Sequence, residues 1–97
     1  MYNQSIHWAT RGTVMVGRFN APRSPLEITA LLSQSASGRW QWCVDNPAVG
    51  LSTKGEYRDR AAALEACERE AKALTTRACQ ILSDREINRR RRYEREA

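Results

Sequence analysis

The sequence predicts an α+β fold, in which a small antiparallel sheet of three to four strands carries a short helix and a long C-terminal helix. Two observations lead to this prediction. The segment around Trp40 and Trp42 alternates apolar and polar residues, as a half-buried strand does. Residues 64–81 instead repeat apolar side chains at steps of three and four, as an amphipathic helix does. A chain of 97 residues is long enough for one such domain and too short for two.

The first predicted element, residues 6–19, is a β-hairpin or one long strand. β-branched and aromatic residues are frequent in this segment, and Gly12 marks a turn between its two halves. The predicted element order is therefore ββαββα, or βαββα if the first segment is a single strand.

A short helix is predicted over residues 24–35. Ser24 precedes Pro25, and Glu27 follows the serine by three positions, which is the arrangement of a capping box at a helix start. The polar run 33–38, which closes on a glycine, is expected to end this helix. Three apolar residues would share the face that packs on the sheet: Ile28, Leu31 and Leu32.

The clearest β pattern is a hairpin over residues 39–54. Trp40, Trp42 and Val44 fall on one face of its first strand, and polar residues fall on the other. The turn is predicted at residues 45–47, Asp-Asn-Pro. If the helices cover the indole face, both tryptophans belong to the core. If they cover the opposite face, the indoles form an exposed binding patch.

The last predicted element is a long helix that begins after Asp59, which can act as its N-cap. A second capping-box sequence starts at Ser83, so the helix either breaks there and restarts or continues as one rod to about residue 94. We therefore predict an α+β domain over residues 1–83 and an arginine-rich projecting helix or tail over residues 84–97. The apolar stripe of the helix contains Leu64, Cys67, Ala71, Leu74, Ala78 and Ile81.

Charge and cysteine content bound the class of function. The chain has 16 Lys and Arg against 11 Asp and Glu, a net charge of +5, which favours nucleic acid, acidic proteins or anionic surfaces as partners. Cys43, Cys67 and Cys79 fit no metal-ligand spacing and are interpreted as reduced, buried thiols. No apolar run approaches the length of a membrane span, and no secretory leader is recognised, so a cytoplasmic location is expected.

The sequence contains no recognisable catalytic or metal-binding constellation. His7 is the only histidine and is interpreted as a surface residue. Glu65, Glu68 and Glu70 each have a base nearby and are interpreted as a solvated helix face. The glycines are scattered and form no phosphate-binding loop. We therefore expect a protein that is not an enzyme and that uses no cofactor or metal.

The densest positive charge is the run Arg89, Arg90, Arg91 and Arg92, which Tyr93 follows. It is either a solvated helix end or a contact surface for phosphates or an acidic protein. These five residues are the predicted partner-binding site. Arg89 and Arg91 are expected to carry most of the interaction, because glutamates one helical turn away can compensate the other two arginines. The compensating residues are Glu86, Glu94 and Glu96.

Residues 38–46, the strand after them and the alanine-rich helix start at residues 60–66 resemble the ββα module of small phage-encoded accessory proteins. Some anti-CRISPR proteins carry a similar Gly-x-Trp-Gln-Trp-like strand. The resemblance implies a non-enzymatic inhibitor that binds a bacterial protein or ribonucleoprotein complex in the host cytoplasm, as a monomer or homodimer. The chain departs from inhibitors that mimic DNA, because those are acidic.

The same segment also resembles the arm-type DNA-binding domain of phage tyrosine recombinases. That resemblance implies a small DNA- or RNA-binding module in which Arg39, Gln41 and Lys54 face the nucleic acid. Trp40 and Trp42 would then lie on the opposite, core face. The recombinase catalytic domain has no counterpart in these residues, so only the binding module carries over.

Overall fold

The computed structural model describes residues 6–96, except for the side chain of Glu96. In it, one helix covers one face of a five-stranded antiparallel sheet. The strands follow chain order across the sheet. The predicted α+β class is confirmed, with one or two strands more and one helix fewer than expected. The elements are β1 His7–Arg11, β2 Val14–Phe19, β3 Ile28–Gln34, β4 Trp40–Asn46, β5 Leu51–Tyr57 and α1 Arg60–Glu96.

The core lies between the sheet and α1. Strand β4 alternates as predicted: Trp42 and Val44 are buried beneath the helix, whereas Gln41 is exposed on the other side. Both tryptophans therefore belong to the core and do not form an exposed patch, since Trp42 is 7% exposed and Trp40 packs against the edge of the core. The buried apolar residues are Ile6, Phe19, Ile28, Ala30, Leu32, Trp42, Val44, Ala63, Ala66, Cys67, Ala71, Leu74 and Ala78.

The prediction of a helix over residues 24–35 is wrong, because this segment supplies a turn and the central strand β3. Ile28, Ala30 and Leu32 are buried with a period of two, and the strand gains a hydrogen-bonded neighbour on each side. Leu31, which was assigned to the same face, points away from the core.

The capping-box residues make capping-type hydrogen bonds around a turn instead of a helix. The Ser24 hydroxyl accepts from the Leu26 N–H at 3.0 Å, and the Glu27 carboxylate accepts from the Arg23 N–H at 3.0 Å. The Glu27 N–H also donates to the Ser24 carbonyl at 3.0 Å. Local bonds of this kind therefore satisfy the backbone without requiring a helix to follow.

Helix α1 begins where the sequence indicated and continues without a break. Asp59 accepts from the N–H groups of Ala61 and Ala63, through its side chain and its carbonyl respectively. Small buried residues then let the helix approach the sheet closely along β3, β4 and β5. The helix passes Ser83 as one rod, so the break considered there does not occur. The division into a domain and a tail at this residue stays a prediction.

Trp42 lies flat against the strand beside it. Its cross-strand neighbour is Gly55, and a Cβ placed on that glycine would lie 2.7–2.8 Å from three atoms of the indole. Only a residue without a side chain leaves room for the ring at this point. The indole N–H is buried and has no hydrogen-bond partner among the described residues.

Asn46 is fully buried and joins two loops at one end of the sheet. Its amide nitrogen donates to the carbonyls of Pro25 and Glu27, at 3.0 and 3.4 Å. Its amide oxygen accepts from the N–H of Val49 at 2.8 Å. One side chain therefore fixes the turn before β3 against the turn between β4 and β5.

Replacing Asn46 by alanine is expected to lower the free energy of unfolding by at least about 2 kcal/mol, because buried backbone groups lose their partners. Urea denaturation of Asn46→Ala measures this change. Gln41→Ala, which removes an exposed amide from the same strand, is the control and should cost less than about 0.5 kcal/mol. Equal stability of the two variants would contradict this role for Asn46.

Candidate binding surfaces

The sheet face opposite the helix, here called the open face, is left uncovered by the described residues. Strand register places its outward side chains in three rows of five. The middle row is mainly apolar, and Leu31 at its centre is 45% exposed. The first row is His7, Arg18, Thr29, Asp45 and Ser52; the middle row is Ala9, Val16, Leu31, Cys43 and Lys54; the third row is Arg11, Val14, Ser33, Gln41 and Glu56.

Two carboxylates on the open face already have local partners. Glu56 pairs with Arg39 at 3.0 Å, with both side chains well exposed. Asp45 accepts from the hydroxyl of Ser52 and from the thiol of Cys43, the latter at 3.3 Å. Burial, followed by the neighbouring Asp45, raises the pKa of the Cys43 thiol. This thiol is therefore held protonated, which is the opposite of what a nucleophilic cysteine requires.

The structure places Gln41 and Lys54 on the open face, on the side of the sheet away from the Trp40 and Trp42 indoles. Arg39 lies at the same end of the sheet, held by Glu56. The sequence interpretation missed the basic residues and the apolar centre that β1, β2 and β3 contribute to this face. The strand alternation of residues 28–34, had it been preferred over the helix, would have revealed Leu31.

The second surface is the projecting end of α1, residues 79–96. Ala78 is the last buried residue of the helix, and Ile81 and Leu82 are half-buried. Beyond them Ile87 is 46% exposed and Tyr93 is 78% exposed. At 1.5 Å per residue this end extends about 27 Å past the sheet, which accounts for the 60 Å long axis of the molecule.

The projecting end carries a basic face in register with the apolar stripe. The steps of four and three that join Leu74, Ala78 and Ile81 continue to Arg85, Asn88, Arg92 and Arg95, and Arg89 lies beside them. The side of the helix that contacts the sheet therefore changes from apolar to cationic where the sheet ends. This extension of the stripe could have been read from the sequence. The basic face is defined as Arg85, Asn88, Arg89, Arg92 and Arg95.

The ion pairs of the arginine run include the expected pair of Arg90 with Glu86 and one pair that was not expected. Arg89 forms a two-oxygen contact with Glu86, at 2.7 and 2.9 Å, and Arg90 approaches the same carboxylate at 3.4 Å. The hydrogen bonds from Arg89 lower the pKa of the Glu86 carboxyl. Arg89 is thus the best-compensated member of the run, so the expectation that it is among the least compensated is wrong. The pairing of Arg92 with Glu96 involves a side chain outside the described part.

The other predicted site residues have these positions. Arg91 makes no ion pair with any described side chain, but it lies about 100° around the helix from Arg92 and so points away from the basic face. Tyr93 is offset from Arg92 by the same angle in the other direction. Arg91, Arg92 and Tyr93 are therefore adjacent in the sequence but point to three different sides of the helix.

The remaining candidate groups for chemistry are dispersed. Glu68 accepts from the Ile6 N–H at 2.8 Å and so holds the start of β1 against the helix. Burial, with a smaller contribution from Glu68, raises the pKa of the Cys67 thiol to about 11. His7 stands on the edge strand β1, exposed. Across residues 6–96, His, Cys, Asp and Glu form no cluster of three or more that could hold a metal ion.

In the described part of the chain, no helix has both the length and the apolar content needed to cross a membrane. Comparisons with protein-family models, with curated proteins and with solved structures find no match. The function is therefore inferred from the two surfaces alone.

Proposed function

We propose that this chain is a non-enzymatic binding protein that holds nucleic acid, alone or within a ribonucleoprotein complex, on the basic face of its projecting helix. The observation that carries the proposal is the change of one helix face from apolar to cationic at the edge of the sheet. Four arginines lie on that face, and the sheet beneath α1 fixes its orientation. Arginine is well suited to phosphate, because its planar guanidinium can donate two parallel hydrogen bonds.

The length of the projecting end also supports this proposal. A bare helix that extends about 27 Å from a domain is narrow enough to enter the major groove of a duplex. Arg85 and Arg92 are seven residues apart and about 20° apart around the axis, so both can contact one anionic surface. The ion pairs of Arg89 with Glu86 are exposed to water, and such pairs are weak enough to exchange for a phosphate.

A second candidate is an acidic surface on a protein of a bacterial complex, as expected for a phage-type inhibitor. Tyr93 favours it, because this aromatic ring is 78% exposed on the same projecting end. Tyrosine and arginine together are typical of the residues that dominate protein interfaces. This candidate places the main contact on the Tyr93 side of the helix and not on the basic face.

Replacing Arg85 and Arg92 together by alanine is expected to weaken binding to a short DNA or RNA duplex at least about tenfold, or 1.4 kcal/mol. The slope of log affinity against log salt should also become shallower by about 1.8, since two phosphate contacts are lost on duplex DNA. Fluorescence anisotropy with a labelled duplex at several salt concentrations measures both quantities. Fold stability should hold, because exposed arginines contribute little to it.

The matched control removes two positive charges elsewhere, through Arg58→Ala and Lys72→Ala, which are exposed and lie at least about 20 Å along the chain from the basic face. It should leave the affinity within about threefold if contact, and not net charge, decides binding. Failure of the unmodified protein to bind any duplex near 100 mM salt would contradict the nucleic-acid proposal. Loss of a bacterial protein partner upon Tyr93→Ala, with Arg85→Ala harmless, would support the second candidate.

A further inference from the structure

The open face has the apolar centre of a protein interface. Ala9, Val16, Leu31 and Cys43 form an uninterrupted row across β1 to β4, with Leu31 at the midpoint of the sheet. A shallow depression on the β3–β5 half of the face begins at Leu31 and ends at Lys54. A central leucine that is 45% exposed, with smaller apolar neighbours in the same row, is suited to burial by another sheet.

The charges on the open face are separated across the sheet. Arg11 and Arg18 lie on the β1–β2 half, and the acids Asp45 and Glu56 lie on the β4–β5 half. The β1–β2 half is therefore basic, whereas the β4–β5 half holds both acids together with Lys54, and Glu56 there is paired with Arg39. The apolar row crosses both halves, between the charged positions of the first and third rows. A surface of this kind is complementary to itself when one copy is turned over upon another.

We propose that the open face binds a second copy of this chain in a symmetric dimer, the two sheets packing face to face about a two-fold axis parallel to β3. This axis places β1 of one copy over β5 of its partner and β2 over β4, at unchanged height along the strands. Leu31 then meets the partner's Leu31 on the axis. The depression on the β3–β5 half receives the partner's Val14 and Val16.

The axis pairs opposite charges. Arg18 lies over the partner's Asp45, and Arg11 lies over the partner's Glu56, each twice by symmetry. Lys54 lies over the partner's Ala9, so it meets no like charge. Packed sheets cross at about 30°, which separates positions one strand and two residues from the centre, such as Arg18 and the partner's Asp45, by about 4 Å in the plane, within the reach of an arginine. The Arg18–Asp45 pair is therefore the more secure of the two.

The other two-fold axis in the same plane, perpendicular to the strands, is disfavoured by the same charges. It places β1 over the partner's β1, so that His7 meets the partner's Arg11. It also leaves Arg18 over the partner's Val14, and Asp45 over the partner's Gln41, without a charged partner. Opposite charges meet only when the axis follows the strands.

The area of the open face determines how tightly the dimer is expected to bind. Five strands at about 4.8 Å spacing and about 20 Å in length cover close to 500 Å² on each copy, or about 1,000 Å² in both. That area is at the lower end of specific interfaces, so a Kd of the order of 10 μM is expected. Helix α1 lies on the outer face of each sheet and stays free in this dimer.

Sedimentation equilibrium across concentrations around that Kd tests the proposal. The mass is expected to rise from 11.1 kDa towards twice that value. Leu31→Asp, Arg18→Asp and Asp45→Arg should each weaken the dimer at least about tenfold, since like charges across an interface repel. Because these positions are half-buried or exposed, circular dichroism should show an unchanged fold.

The decisive arm mixes two weakened variants. In an equimolar mixture of Arg18→Asp with Asp45→Arg, each mixed dimer restores an opposite-charge pair at both symmetric positions, so association is expected to return. Arg91→Asp, on the projecting end, is the control and should dimerise normally. A chain that stays monomeric at about fifty times the expected Kd, or a mixture that stays as weak as its components, overturns the proposal. Loss of duplex binding upon Leu31→Asp in a monomeric protein would assign the open face to nucleic acid instead.

Discussion

Replacing Trp42 by alanine is expected to lower the free energy of unfolding by about 3–5 kcal/mol, the usual range for a large aromatic residue in a core. The indole is buried between α1 and the sheet and fills the space above Gly55. Alanine would leave a cavity at this position that the strand β4, paired on both sides, cannot close. Equilibrium denaturation with urea or guanidinium measures the change.

The contact between Trp42 and Gly55 can be tested by a second substitution. Its effect would depend on the indole only if the ring lies on the glycine. Gly55→Ala alone is expected to cost about 1–3 kcal/mol, because the new methyl group would overlap the indole. In the Trp42→Ala background the same substitution should cost close to nothing. Additive effects of the two changes would show that the ring does not lie on the glycine.

The second large effect is expected at Leu74, whose replacement by alanine should cost about 2–5 kcal/mol. Leu74 is 2% exposed and is the last large side chain of α1 that packs fully on the sheet. Ile87→Ala is the matched control, because Ile87 is 46% exposed and lies beyond the sheet. It should cost less than about 0.5 kcal/mol. Similar costs at the two positions would mean that the sheet does not hold the helix at Leu74.

The parts of the fold that were predicted correctly are those with a repeated local pattern. The alternation around Trp42 and the stripe around Leu74 extend over enough residues to distinguish a period of two from one of 3.6. In the segment 28–34, Ile28, Leu31 and Leu32 also fit the spacing of a helix face, and the capping-box residues before them favoured the helix. Tertiary pairing with β2 and β4 decides its structure, and no local rule reports that pairing.

The candidate surfaces were predicted only in part, for a similar reason. The arginine run was visible in the sequence. The ion pair of Arg89 with Glu86 was not predicted, because it depends on side-chain rotamers that sequence spacing alone does not determine. Arg85 stands apart from the run in sequence and joins it only through helical geometry. The open face required the register of all five strands, which the sequence did not supply.

Because α1 is unbroken, its residue count determines the direction in which the arginines beyond the sheet point. Each residue of a helix turns the chain by about 100°, so the segment between Ala78 and Arg85 determines an angle as well as a length. Seven residues make almost two whole turns, and for this reason the arginines emerge on the side already occupied by the sheet. Adding or removing a single residue there would swing every guanidinium more than a quarter turn around the axis, with composition and net charge essentially unchanged. The side of the helix on which the arginines lie therefore depends on the number of residues between them and the sheet. An insertion or deletion of one residue would change that side.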